Sequence, residues 1–483
     1  MRRVLSAAVI FMGAQVVAQW GAAVALGQAA LAQDPDISRQ LEQVRRETRL
    51  LATPDLSAGD RAILDYGAFL TLSYFSTDTS AGDNRALWQT DLNLYARINL
   101  DGAHEFYVRD RIQYREYNTG DETATDQDGV QNFLEEAYYK FDLARYLAAY
   151  HGESSPNDLT VTVGRQFVNW ESGLVLAQYL DGGKADISVG PFGATLLAGV
   201  TTYGTTDFDT SRPDYDKSTY RGFFGGEASV QLGTHRPFVY FLAQRDYNQD
   251  RNLTIAGATA EFRYNSNYIG IGSNGSFTDH IHYLAEAVYE FGSDLSAPFL
   301  IGSTSAQSEE PIQAWAGLAE LDYLFNDARH SKVGLTGIIA SGDHDRGSTN
   351  ATLNGNSTGT HDNAFNSLGI VSAGYAFSPP ISNLVVLKTS GTTFPMGDLT
   401  GPLSRLQLGS DLLFFGKAES HGQIDETTSD GQRFLGTELD LYANWRILED
   451  VTFQVRYGIF FPGTTIQSDQ TRQFVYTSLT YSF

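Results

Sequence analysis

At 483 residues, the chain carries a net charge of −24, 42 % hydrophobic and 12 % aromatic content, and no cysteine. The acidic balance argues against a nucleic-acid partner, and the absence of Cys excludes disulfides, thiolate metal sites and a Cys nucleophile. Length alone would suggest two or three soluble domains, but the patterning along the chain argues for one large β structure.

Residues 1–32 carry Arg2 and Arg3, an apolar run and Ala30-Leu31-Ala32, the layout of a secretory signal peptide cleaved after Ala32. Residues 33–63 are expected to form a short periplasmic helix and linker, with Ile37, Leu41, Val44 and Leu51 at helical spacing ahead of Pro54 and Gly59. Beyond residue 32 no window approaches the roughly 18–20 apolar residues a membrane helix needs. An exported, acidic chain without spanning helices is either a secreted β protein or an outer-membrane β-barrel.

From residue 64 to 483 the period becomes two. In 87–100, Trp88, Leu92, Leu94, Ala96 and Ile98 share one face, and Gln89, Asp91, Asn93, Tyr95, Arg97 and Asn99 the other. In 104–117, Phe106, Val108, Ile112 and Tyr114 oppose Glu105, Tyr107, Arg109, Arg111, Gln113 and Arg115, with Asp110 breaking the apolar face. One apolar and one charged face at period two is the pattern of a transmembrane strand; a bulge or local water would accommodate Asp110. Strands are expected near 64–76, 87–100, 104–117, 131–143, 158–168, 183–190, 193–205, 219–232 and 236–247. Further strands follow near 265–276, 280–291, 311–325, 329–341, 384–395, 403–417, 433–447, 450–461 and 471–483.

Every second connection is short (Asp101-Gly102-Ala103, Gly190-Pro191, Leu448-Glu449), and the intervening ones are long and polar. The fold class is therefore all-β: a transmembrane antiparallel up-and-down barrel of about 18 strands, with 16 or 20 left open. The connection at 144–157 is longer than a periplasmic turn should be, and strand-like pieces near 252–263 and 367–377 lie inside long loops. The closing strand, 471–483, should pair with 64–76 and leave no open edge, with Phe483 at the periplasmic interface.

Four segments, in order, resemble the alginate-export porin family: VGRQFVNWESGL (163–174), HYLAEAVYEFG (282–292), ASGD followed by NAFNSLG (340–369), and GTELDLYANWRILEDVTFQVRYGIFFPG (436–463). The resemblance implies a Gram-negative outer-membrane channel for anionic polysaccharide, or a general or solute-specific porin. Separately, the terminal aromatic Phe483 resembles the C-terminal signal that barrel-assembly machinery reads. The long insertion at 347–363 and the N-terminal leader depart from the family pattern and leave the substrate open.

Function should lie on the inward face. The turn at 101–103 sets residue i opposite residue 204 minus i, pairing Tyr95 with Arg109, Asn93 with Arg111, Asp91 with Gln113 and Arg97 with Tyr107. The expected pore lining is a basic, aromatic patch of Arg97, Arg109, Arg111, Arg115, Tyr95 and Tyr107. A second patch holds Arg456 opposite Tyr442, with Asp440, Glu438 and Arg446, and Glu286 lies on a third strand. Guanidinium forks bind carboxylates, and Tyr faces offer contact to sugar rings. Inward acids are about as numerous as bases, so a mixed ladder that stiffens the wall competes with an anionic track. Glu286 and Glu438 are expected to serve as Arg partners.

Catalysis is disfavoured: Ser341, His344, His361 and the acids around them are what a solvated loop uses anyway. No cofactor is expected. Asp343-His344-Asp345-Arg346-Gly347 has alternate acids but lacks the bidentate Glu of a calcium loop; surface Ca2+ there or at 121–128 stays an open alternative. The expected partners are outer-membrane lipid, the assembly machinery, and polysaccharide or small polar solutes. The alternatives are an unselective porin or, from a different class, a barrel hydrolase or surface adhesion protein.

Overall fold

The computed structural model describes residues 62–483, except 81, 123–127, 214, 216, 217, 249–252, 256, 257, 302, 303, 348, 350, 354, 370 and 372. The expected signal peptide (1–32) and nearly all of the leader (33–63) lie outside the described residues.

The strands are β1 (Ala62–Asp78), β2 (Asn84–Leu100), β3 (His104–Tyr117), β4 (Gly129–Asp142), β5 (Asp158–Asn169), β6 (Ala177–Val189), β7 (Phe192–Thr201), β8 (Arg221–Val230) and β9 (His235–Asp246). A two-strand hairpin, β10 (Leu253–Ile255) and β11 (Ala258–Ala260), stands apart from them. The series continues with β12 (Tyr264–Ser276) and β13 (Ile281–Leu295), then a second small hairpin of β14 (Phe299–Ile301) and β15 (Thr304–Ala306). It ends with β16 (Glu309–Leu324), β17 (Lys332–Ala340), β18 (Leu384–Thr393), β19 (Leu406–Gly416), β20 (Phe434–Arg446), β21 (Val451–Pro462) and β22 (Arg472–Ser482).

Eighteen of these form one sheet in which each strand pairs antiparallel with its neighbours in sequence. β22 pairs with β1, Thr71 opposite Thr480, so the sheet closes on itself. Closure removes the open edge that a membrane would otherwise leave unsatisfied. Phe483 extends the seam: its N–H donates to the Ala68 carbonyl at 2.9 Å and its carbonyl accepts from the Ala68 N–H at 2.7 Å. The strand-like segment 252–263 contains the small β10–β11 hairpin, and the described residues of 367–377 form no strand.

Alternation decides which face each residue takes. Trp88 (57 % exposed), Leu94 (42 %) and Ile98 (44 %) look outward, whereas Gln89, Asp91, Arg97 and Asn99 between them are buried inside the cylinder. Asp110 opposes the outward Leu94 and Leu134, and the β3–β4 ladder slips by one residue beside it, between Arg109 and Asp110. That slip is the bulge the broken pattern calls for.

β6 starts at Ala177, earlier than the alternation suggests, because Gly182 and Gly183 blank the side-chain pattern in its middle. The long connection after β4 is helix α1 (Leu143–His151). Asp142 caps its first turn by accepting from the Arg145 N–H at 2.8 Å, and Gly152 ends it in the left-handed region at φ 67°. Among the described residues no helix is long and apolar enough to cross a membrane.

A buried apolar cluster packs against the inner face of the cylinder. Two connections turn inward to make it: 170–176 between β5 and β6, and 341–383 between β17 and β18. Trp170, Leu174, Val175 and Leu176 from the first, and Phe365, Leu368, Tyr375, Phe377 and Ile381 from the second, are buried against wall residues.

Candidate functional site

The hairpin register places Tyr95 opposite Arg109, Asn93 opposite Arg111, Asp91 opposite Gln113 and Arg97 opposite Tyr107, as the turn requires. On β20 and β21, Tyr442 opposes Arg456. The side chains of Arg97, Arg109 and Arg111 are buried within the barrel.

Their surroundings are less basic than the alternation implies. Simple alternation sends Glu136 inward and Glu135 outward, but the β4 bulge turns both inward. Arg109 Nε lies 2.9 Å from Glu135 and Arg109 Nη2 3.3 Å from Glu136. Arg111 Nε lies 3.0 Å from Glu135 and Nη1 3.6 Å from Asp91. Arg97 sits between Asp65 at 3.8 Å and Glu105 at 4.0 Å. Arg115 donates to the Gln89 amide oxygen at 3.2 Å, and Arg111 lies over the Phe133 ring at 4.6 Å. The wall of β1–β4 is therefore an alternating array of guanidinium and carboxylate, not a basic patch. A buried pair of this kind resists loss of either partner, because the remaining charge would be left desolvated.

Glu438 and Glu286 differ from the Arg-partner expectation. The Glu438 carboxylate accepts three backbone N–H bonds, from Tyr375 (2.6 Å), Ala376 (2.7 Å) and Phe377 (2.8 Å). Glu286 accepts from the Ser172 N–H at 3.2 Å and from the Tyr240 hydroxyl. Each glutamate holds an inward loop to the wall, because a turn crossing the barrel has donors no strand can satisfy. Glu290 does the same for the Asn366 N–H at 2.9 Å. The two loops also meet: Leu368 N–H donates to the Val175 carbonyl at 3.1 Å and Ser367 Oγ to the Leu174 carbonyl.

Arg456 donates to the Tyr375 hydroxyl at 3.0 Å and lies over the Tyr375 and Tyr442 rings, so it too anchors the 341–383 loop. Asp440 is buried on the same strand as Glu438. Arg446 is at the short-turn rim, exposed, donating to the Glu449 carbonyl at 3.0 Å. The Tyr442 ring lies across Gly409 of the next strand, where a Cβ would come within 2.2 Å of it. Tyr240 lies across Gly270 in the same way. In each pair the glycine lets the neighbouring ring lie along the wall.

Above this, connection 202–220 is clamped by buried charge. Arg221 pairs with Asp207 at 2.8 Å and Asp246 at 3.4 Å, and Arg212 with Asp207, Asp209 and Asp246. Asp209 accepts from the Thr352 N–H at 3.1 Å, which ties 202–220 to the 341–383 loop. Burial pushes the Asp207 carboxyl up, but the Arg221 and Arg212 guanidiniums outweigh it and hold the group below its ordinary range.

Asp343, His344 and Asp345 bring ligand atoms within 4.8 Å of one another. Both Asp343 oxygens, however, accept backbone N–H bonds at 2.8 Å, from Asp345 and from Asn363. That is a turn's own hydrogen bonding, and the donor set does not fit a resident cation. Of the other candidate segment, 121–128, residues 123–127 lie outside the described residues. Asp362, one of the acids beside His361, is buried in an ion pair with Arg346 at 2.6 Å.

Residues 73–478 match the family model described as alginate export. No curated protein matches the chain significantly. Among solved structures, OccK11 (OpdR) of Pseudomonas aeruginosa is similar in fold, with TM-score 0.52 and 11 % identity over 89 % of this chain and 99 % of that one. OccAB3 of Acinetobacter baumannii is similar likewise, with TM-score 0.50 and 14 % identity over 87 % of this chain and 100 % of that one.

Proposed function

We propose, because the chain belongs to the alginate-export family, that it is a passive channel for polysaccharide, lined by the alternating charges of β1–β4. It is an integral outer-membrane β-barrel protein of a Gram-negative bacterium. The single observation that carries the reading is the family match, which spans nearly the whole closed cylinder. Arg97, Arg109, Arg111 and Arg115, with Tyr95 and Tyr107, form one side of the path. Arg456, Glu438 and Glu286 hold the loops that narrow the other, with Tyr442 and Asp440 beside them on the wall, and Arg446 stands at the rim.

The mechanism needs no chemical step. A guanidinium already shared between wall carboxylates can exchange one of them for a carboxylate of the passing chain. The displaced wall carboxylate must then rely on a neighbouring guanidinium, as Glu135 can between Arg109 and Arg111, and this cost keeps each site weak, giving many weak sites rather than one tight one. The outward apolar band meets lipid, and the closing strand is the part that the barrel-assembly machinery would engage.

A second reading, an unselective porin for small polar solutes, is favoured by a specific observation: Arg97, Arg109 and Arg111 each already have a carboxylate within 4.0 Å. Reversal potential in a KCl gradient, measured across a planar bilayer before and after adding alginate oligomers, separates the two. Block by the oligomers, weakened in Arg109→Ala and Arg111→Ala, supports the polysaccharide path. Cation preference with no block would leave only the unselective porin.

A further inference from the structure

Four aromatic side chains from four successive strands line up on the inward face. Phe69 of β1 and Tyr95 of β2 lie with ring centroids 5.4 Å apart and an interplanar angle of 16°. Tyr95 and Tyr107 of β3 follow at 6.5 Å and 25°, and Tyr107 and Tyr138 of β4 at 5.3 Å and 32°. All four are half-buried, so each keeps part of its surface uncovered inside the cylinder. The row runs alongside the Arg109–Arg111 pair: Phe69 opposes Asn93, which in turn opposes Arg111, and Tyr95 opposes Arg109, while Tyr107 and Tyr138 lie one step nearer the short-turn end.

The wall leaves room beside one of these rings: Gly67 stands opposite Tyr95, and a Cβ there would lie 2.7 Å from the Phe483 carbonyl oxygen and 3.0 Å from the Tyr95 ring. Polar groups border the row: Tyr138 Oη donates to Glu105 at 3.2 Å, and Arg97 bridges Asp65 and Glu105. Successive rings, two pairs near-parallel and one tilted, edged by carboxylates and a guanidinium, match a chain of pyranose rings. Such a chain presents apolar C–H faces to aromatic surface and hydroxyls at its edges.

We propose that Phe69, Tyr95, Tyr107 and Tyr138 form a sugar-binding shelf that recognises the ring faces of an oligosaccharide independently of its charge. The proposal rests on the polysaccharide reading above and divides its labour. The Arg109–Arg111 region exchanges carboxylates, and the shelf holds rings whether or not they carry one. Its occupant is a short run of linked pyranoses, because the spacing repeats ring to ring and the bordering groups can both donate and accept.

The test is calorimetric titration of the full-length protein in detergent with maltohexaose, a neutral probe that the arginine wall has no charge to recognise. Binding should be measurable for the wild type and weakened about tenfold in Tyr107→Ala, the size expected for loss of one ring contact. Tyr107→Phe should bind like the wild type, because the face and not the hydroxyl is used. Tyr107→Leu, which fills the same space without an aromatic face, guards against a loss caused by wall collapse and should bind as weakly as Tyr107→Ala. No heat with the wild type, or an unchanged dissociation constant in both Tyr107→Ala and Tyr107→Leu, overturns the shelf. KCl conductance of the same preparation reports on the porin reading separately: a conducting protein that ignores maltohexaose refutes the shelf alone.

Discussion

Replacing Glu438 with Ala removes the one carboxylate that accepts the N–H groups of Tyr375, Ala376 and Phe377, at 2.6, 2.7 and 2.8 Å. A buried donor left without an acceptor costs roughly 1–3 kcal/mol, so three of them place the low end at about 3 kcal/mol. The barrel ladder does not use these bonds, so the loss falls on the loop and not on the strands. A shift of about 3 kcal/mol changes the closed-to-open ratio of the loop roughly a hundredfold, at 1.4 kcal/mol per factor of ten. Hydrogen exchange read by mass spectrometry should show peptides covering 374–378 losing protection by about that factor. Peptides from β20 and β21 should be unchanged. Glu438→Gln keeps one acceptor oxygen for the loop and turns its amide toward Asp440, the side chain hydrogen-bonded to Glu438, and should fall between. Unchanged protection at 374–378 in Glu438→Ala would refute the idea that this carboxylate holds the loop against the wall.

Three further outcomes follow from the same geometry. Gly409→Ala sets a Cβ within 2.2 Å of the Tyr442 ring, so the ring must leave the wall or the strands must part; the folded fraction on a heat-modifiability gel should drop, and Tyr442→Ala should restore it. Asp207 has its carboxyl held low, so its stabilising effect is full above the ordinary carboxylate value of about 4 and is lost only as pH falls through the lower folded value. Protease resistance of the 202–220 connection should therefore be flat from pH 7 to about 4 and fall below that, while Asp207→Asn should be sensitive throughout. Deleting Phe483 removes two main-chain bonds to Ala68 at the seam, and should lower insertion yield while leaving the reversal potential of inserted channels unchanged.

The β frame was legible because period-two alternation and short turns are local. The register opposing Tyr95 to Arg109 follows from three turn residues alone. What stayed hidden depended on contacts distant in sequence. Glu135 turns inward only because β4 bulges opposite Arg109, and the visible hint was Asp110 on the wrong face. Glu438 bonds to residues 61–63 positions away, and no spacing rule marks a loop that crosses the barrel. Helix α1 carried its signals openly, Asp142 before the first turn and Gly152 after the last, but it fell where a short turn was expected. Of the four-ring shelf, alternation and turn geometry put Tyr95 and Tyr107 together. Phe69 and Tyr138 join only once the β1–β2 and β3–β4 registers are known.

Passive passage is the claim on which the rest depends, and solute efflux from liposomes tests it most directly. Purified protein is reconstituted into vesicles loaded with labelled oligomannuronate, with no ion gradient and no energy source. The account predicts efflux at a rate proportional to the concentration difference, slowed by Arg109→Ala with Arg111→Ala. Retention of the label in vesicles that contain fully inserted, KCl-conducting protein would contradict it.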